Sequence, residues 1–212
     1  MRFFSSRDSN YFVSSEEAIV GNLCPKGGLF LPEIIPLNSA FKNRDSCTLS
    51  EIAFEVAKSF LFDSFSSEQL AQICTNAFNF PAPLLSLSET LSVLELTHGP
   101  SLAFKDFGAR FMAECLACIS AKQAKQYSVL TATSGDTGGA VAAALYNKPG
   151  VSVTILYPKG RISPFQEGQM TKWGANVRTV AVEGSFDDCQ RLVKDVFART
   201  EVCKSKNLVL RY

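Results

Sequence analysis

The hydrophobic pattern divides the chain into two texts. Up to about Pro83 it is irregular and then helical. Gly27-Gly28-Leu29-Phe30-Leu31-Pro32 reads as a turn leading into a short apolar piece. Thr48 and Glu51 have capping-box spacing ahead of Ile52, Ala53, Val56, Ala57, Phe60 and Leu61, which recur at helical intervals. Ser66 and Gln69 repeat the pattern before Leu70, Ile73, Cys74 and Ala77. The spacing predicts a small, mostly helical region over residues 1–83, closed by Pro81-Ala82-Pro83, and a second region over 84–212.

The second region alternates. Residues 93–96 form a short strand candidate, and 106–120 read as a helix with Phe107, Phe111, Cys115 and Ile119 on one side. An apolar strand over 127–133 leads to an Ala-rich helix over 137–146, and 151–157 is another strand. Ser163 offers an N-cap, Pro164 the first-turn proline and Gln166 the box partner for a helix through Trp173. Residues 177–182 read as a strand, Ser185 caps a helix to about Phe197, and 207–212 begin one more strand. Continuous apolar strands alternating with helices predict an α/β fold, a parallel sheet with helices on both faces. Ligands in such sheets bind beyond the carboxyl ends of the strands, so chemistry belongs in the strand-to-helix loops.

Composition narrows the field. The 212 residues are 46% hydrophobic, with 21 Lys+Arg against 20 Asp+Glu, which excludes a disordered chain and a strong phosphate-backbone binder. No apolar run is long enough to span a membrane, and residues 1–10 lack the apolar core of a signal peptide, so a cytoplasmic location is expected. Seven cysteines without framework spacing fit free thiols in a reducing compartment. Cys115-Leu-Ala-Cys118 lies inside a helical pattern and reads as helix packing rather than zinc or redox chemistry. A single histidine, His98, excludes a multi-histidine metal site.

Three loops carry candidate chemistry. The first, His98 to Gly108, places Lys105 between a strand and the start of a helix. Backbone N–H groups and the helix dipole there favour an anion and disfavour an ammonium, the setting a Schiff-base nucleophile needs. The alternative is a solvated lysine beside an N-capping Asp106. The second loop, Thr131-Ala-Thr-Ser134-Gly135-Asp136-Thr137-Gly138-Gly139, follows an apolar strand and opens a helix, the context of an anion cradle. It meets neither nucleotide-binding fingerprint. Asp136 is out of place there, since it repels an anion unless a cation or a donor faces it. The alternative is a glycine-rich turn whose Asp and Thr cap the helix. The third loop, Tyr157 to Pro164, carries Lys159 and Arg161, a phosphate contact or two solvated cations. Together the loops put a lysine, an anion loop and a basic loop on one edge of one sheet, as for a doubly anionic small substrate and an anionic cofactor.

These loops resemble the threonine synthase family. Glu95-Leu-Thr-His-Gly-Pro-Ser-Leu-Ala-Phe-Lys-Asp-Phe-Gly-Ala-Arg110-Phe-Met is similar to its lysine signature, and Thr131 to Gly138 to its second motif. Leu156 to Pro164, Val182 to Gln190, Val13 to Ala18 and Gly27 to Pro32 also resemble it, so the likeness runs from about Met1 to Ala198. It implies a pyridoxal 5'-phosphate enzyme of the tryptophan synthase β-like fold, converting O-phosphohomoserine and water to L-threonine and phosphate. Lys105 becomes the Schiff-base lysine and later the acid/base, with Phe104, Ser134, Gly135, Asp136, Thr137 and Gly138 toward the cofactor. Ser134 and Thr137 are implied at the substrate carboxylate, and Lys159 and Arg161 are our own assignment near the substrate phosphate.

The family also carries a Gly-rich cup for the cofactor phosphate, of the G-N-F-G type, which does not occur in this sequence. The chain therefore reads as an amino-terminal portion with an incomplete sheet. Its expected partners are a phosphorylated amino-acid substrate and either a complementing C-terminal chain or another copy of itself, without nucleic acid, membrane or metal. The competing readings are an inactive remnant or interaction module, and a phospho-lyase that eliminates phosphate without making threonine.

Overall fold

The computed structural model describes residues 1–21, 24, 27–36, 47–199 and 207–211, the side chains of Leu210 and Arg211 excepted. Its N-terminal part is less helical than the sequence predicts. Strand β1 (Arg2–Ser5) pairs antiparallel with β2 (Asp8–Ser14) and β3 (Phe30–Pro32) in the order β2-β1-β3. Adjacent Phe3 and Phe4, and a β2 that is largely exposed, hide the two-residue period by which a strand is recognised. Helices α1 (Ser15–Val20), α2 (Leu49–Leu61) and α3 (Ser67–Ala77) each begin at a complete capping box, on Ser14, Thr48 and Ser66. In each box the cap side chain accepts the third-position N–H, and a Glu or Gln returns the bond, so two otherwise orphaned donors are satisfied.

The hairpin β4 (Leu84–Ser86) and β5 (Ser92–Leu94) comes next. This corrects the expectation that the strand before Lys105 belongs to the main sheet. Its residues are exposed and pair only within the hairpin, whereas a parallel strand must be covered on both faces.

The chain then winds the α/β unit: α4 (Lys105–Gln123), β6 (Tyr127–Ala132), α5 (Asp136–Leu145), β7 (Val151–Pro158), α6 (Pro164–Thr171), β8 (Val177–Val182), α7 (Phe186–Ala198) and β9 (Leu208–Arg211). Tyr212 lies outside the described residues. The four strands are parallel in the order β8-β7-β6-β9, with Val129 opposite both Val153 and Val209. Strand alternation divides the core. Val129, Val153, Ile155 and Val209 join α2 to α5 in the larger cluster, while Ala132, Leu156 and Leu208 meet Cys189, Val193 and Phe197 of α7 on the other face. Cys115 is buried in the larger cluster and Cys118 packs against it, so the CxxC faces the core. All the described cysteines are free thiols. Among the described residues no helix is long and apolar enough to cross a membrane.

Candidate active site

Lys105 is the first residue of α4. The position before it, Phe104, sits in the helical region without a side-chain cap, so α4 starts uncapped. The Lys105 ammonium lies 4.4 Å from the Phe104 ring centroid, a cation–π contact. Asp106 is not the N-cap that one reading of the sequence allows. It is fully buried, and its Oδ2 accepts the Ser101 N–H at 2.8 Å across the preceding turn. The other oxygen, Oδ1, and the buried Ser101 hydroxyl have no partner among the described residues. Gly99 makes this possible, because a Cβ there would stand 2.4 Å from Asp106 Oδ2. Leu102 adopts a left-handed φ of 60°, a strained conformation for leucine, three residues before Lys105.

The second loop joins β6 to α5 and is organised by a residue the sequence reading passed over. Thr133 is buried, and its Oγ1 accepts the N–H groups of Gly135 at 3.0 Å and Gly138 at 2.9 Å. A hydroxyl directly after an apolar strand, facing glycines two and five positions on, is the signal that could have found it. Gly135 has φ 143°, and a Cβ there would meet the Gln166 amide at 2.3 Å. Gln166 Nε2 donates to Asp136 Oδ1 at 2.8 Å, and so supplies the donor this aspartate requires. Ser134 and Asp136 are exposed and Thr137 is half-buried. The Ser134, Asp136 and Thr137 N–H groups find no acceptor among the described residues, which leaves the α5 N-terminus with donors for an anion.

A cleft of about 300 Å³ joins the first two loops: Phe104, Lys105 and Phe107 line it from α4, Thr137 and Val141 from α5. Lys105 is its one cation among the described residues. Ser134, Gly135, Asp136 and Gly138 do not line it. The third loop stands apart. Lys159 pairs with Glu183 at 2.5 Å, both exposed, and Arg161 is exposed on the same loop; neither lines the cleft. His98, at 2.6 Å from Glu95, does not line it either. A larger apolar groove of about 630 Å³ lies between α2 and α4 and shares Phe107 and Gly108 with the cleft. Among the described residues no titratable side chain lines it, so the smaller space is the candidate site.

Residues 79–208 match the pyridoxal-phosphate dependent enzyme family. The chain belongs to that family. Residues 2–78 match the threonine synthase N terminus. The chain is 42% identical to the threonine synthase of Escherichia coli strain K12 over 204 residues, 95% of this chain and 47% of that protein. It is 38% identical to the Schizosaccharomyces pombe threonine synthase over 226 residues, 97% of this chain and 43% of the relative. Among solved structures, the pyridoxal-phosphate-bound threonine synthase of Brucella melitensis superposes with a TM-score of 0.91 at 31% identity, over 100% of this chain and 47% of that one. The Escherichia coli threonine synthase superposes at 0.87 and 40% identity, over 99% and 49%. The chain thus spans about half the length of the relatives it matches, and corresponds to their amino-terminal portion.

The cleft fits one end of the family's cofactor. Among the lining residues, Lys105 would be the amine available to its carbonyl carbon, and Phe104 and Phe107 would be apolar walls for its ring. If the open N-terminus of α5 takes the substrate carboxylate, the cofactor phosphate would need donors beyond the lining residues.

Proposed function

We propose that this chain is the amino-terminal half of a threonine synthase, converting O-phosphohomoserine and water to L-threonine and phosphate with pyridoxal 5'-phosphate in the cytoplasm. The observation that carries the reading is the shared cleft: a lysine at the start of α4 and the open N-terminus of α5 line one space. Bound pyridoxal phosphate supplies the electron sink that stabilises carbanionic charge on the substrate.

The chain's own residues do the rest. Lys105 would hold the cofactor through its amine, and once released that amine would carry protons between substrate carbons. The Ser134 and Thr137 hydroxyls and the free N–H groups of the 134–137 turn receive the substrate carboxylate. Phe104 and Phe107 keep water from one wall of the cleft. Gly135, Asp136 and Gly138 shape the turn without occupying the cleft. Lys159 and Arg161 remain assigned to the substrate phosphate. Lys159 is free to leave Glu183, because a pair this exposed is worth less than about 1 kcal/mol.

The cofactor phosphate calls for a further segment, such as the portion the relatives carry beyond the matched residues, a complementing C-terminal chain or another copy. The test is an absorbance spectrum of the purified chain with pyridoxal phosphate, followed by borohydride reduction and peptide mapping. A visible band trapped on Lys105 supports the reading, and labelling spread over surface lysines contradicts it. Product analysis with O-phosphohomoserine then separates threonine formation from phosphate elimination alone.

A further inference from the structure

We propose that α6 positions both walls of the Lys105 cleft, through two glutamines one turn apart. Gln169 Nε2 donates to the Ser101 carbonyl at 3.1 Å, and Ser101 N–H in turn donates to Asp106, the neighbour of Lys105. Gln166 Nε2 donates to Asp136, the neighbour of Thr137. Two glycines admit the pair closely, since a Cβ would lie 2.3 Å from Gln166 at Gly135 and 3.0 Å from Gln169 at Gly139, and Gly99 admits Asp106 in the same way at 2.4 Å.

α6 is itself firmly held. Met170 is fully buried, the Tyr157 hydroxyl of β7 donates to Glu167 at 2.8 Å, and Ser163 closes a capping box with Gln166. The residue type at 166 is then chemically dictated. Its Oε1 accepts the Ser163 N–H at 3.1 Å while its Nε2 serves Asp136. A glutamate could do only the first and a lysine only the second. The two loops, otherwise carried by separate elements, are thereby fixed to one helix. Gln166 and Gln169 are positioning residues; their consequence at Lys105 rests on the function proposed above, while the brace itself does not.

The test uses Gln166→Glu, which keeps the capping box but sets a carboxylate against Asp136, and Gln169→Glu, which removes the donor to Ser101. Hydrogen exchange reads the brace directly. Each variant should speed exchange roughly tenfold in its own loop and measurably in the other, as loss of an ordinary hydrogen bond does to local opening. Asp136→Asn in the Gln166→Glu background restores a donor–acceptor pair and should restore protection in both loops. Exchange that rises only in the loop each glutamine touches, or no rescue, overturns the proposal. Should Gln166→Glu fail to fold, Asp136→Ala removes the same bond from the other side and is read the same way. Lys105 trapping by pyridoxal phosphate and borohydride provides the second readout, expected to slow at least several-fold in both variants. Unchanged trapping in variants of a chain that labels on Lys105 also overturns it. A wild-type chain that does not label means that the cofactor needs a further segment, and exchange then decides the brace alone.

Discussion

Thr133 Oγ1 accepts the Gly138 N–H at 2.9 Å, tying the end of β6 to the first turn of α5 across the loop that opens the cleft. The same oxygen takes the Gly135 N–H at 3.0 Å, and both residues are buried. Thr133→Val preserves shape and removes the acceptor, leaving the Gly135 N–H unsatisfied. The expected loss is about 1–3 kcal/mol in a urea titration, the cost of an unpaired buried donor. Thr133→Ser keeps the oxygen and should lose less than about 1.5 kcal/mol for its missing methyl group. Equal losses in the two variants would assign the effect to packing.

Gly138 lies within α5, where alanine ordinarily stabilises a helix by about 1 kcal/mol. Here a Cβ would stand 2.2 Å from Met170 Sδ and 2.5 Å from Thr133 Cγ2. Met170 is fully buried and has nowhere to retreat. Overpacking costs about 1–3 kcal/mol and offsets the gain in propensity, so Gly138→Ala should lower stability by up to about 2 kcal/mol. In that background Met170→Ala should cost at least about 1 kcal/mol less than it does alone, a coupling that a double-mutant cycle measures. A stabilised Gly138→Ala would show that α6 yields easily.

Sequence reading was most reliable where local chemistry and tertiary burial agree. The capping boxes at Thr48, Ser66 and Ser163 form as their spacing predicts, and the strand predicted over 177–182 is β8 to the residue. Buried strands such as β6 and β7 stand out because both faces are covered. β1, β2 and β4 escaped because a short strand with exposed residues has no such signature. In the site, Lys105 and Thr137 were legible as loop residues before helices. The placement of Lys159 away from the cleft was not, because loop order fixes which edge a residue reaches but not its distance from a neighbour. Gln166 read only as a capping-box partner and Gln169 as an ordinary polar helix residue, since their further significance lies in contacts 30 and 68 positions away.

Burial pushes the Cys74 thiol up to about 11. An unfolded thiol titrates near 8.5, so the unfolded chain releases its proton first as pH rises. The contribution to stability is therefore fully present below about pH 8.5 and is lost as pH climbs toward 11, on the order of 3 kcal/mol. Cys74→Ala should flatten the fall in unfolding free energy over that window relative to wild type. Parallel curves for the two proteins would mean that the buried thiol contributes nothing to alkaline unfolding.

Lys105 stands where a cation is unwelcome. It is the first residue of an uncapped helix, whose exposed N–H groups and dipole repel an ammonium, and its one ring contact is with Phe104 at 4.4 Å. A structural lysine would be favoured at the other end of α4, as Lys122 is in its last turn. Lys105→Ala removes an unfavourable charge–dipole term of about 0.3–1 kcal/mol and a cation–π contact of about 0.5–1 kcal/mol, so the two nearly cancel. Stability by urea titration should therefore move by less than about 1 kcal/mol. Over the same substitution, pyridoxal phosphate trapping at the cleft should vanish. That combination, no stability cost with complete loss of labelling, is what a residue retained for chemistry shows. A loss well above 1 kcal/mol would instead make Lys105 part of the scaffold and move the reaction site elsewhere.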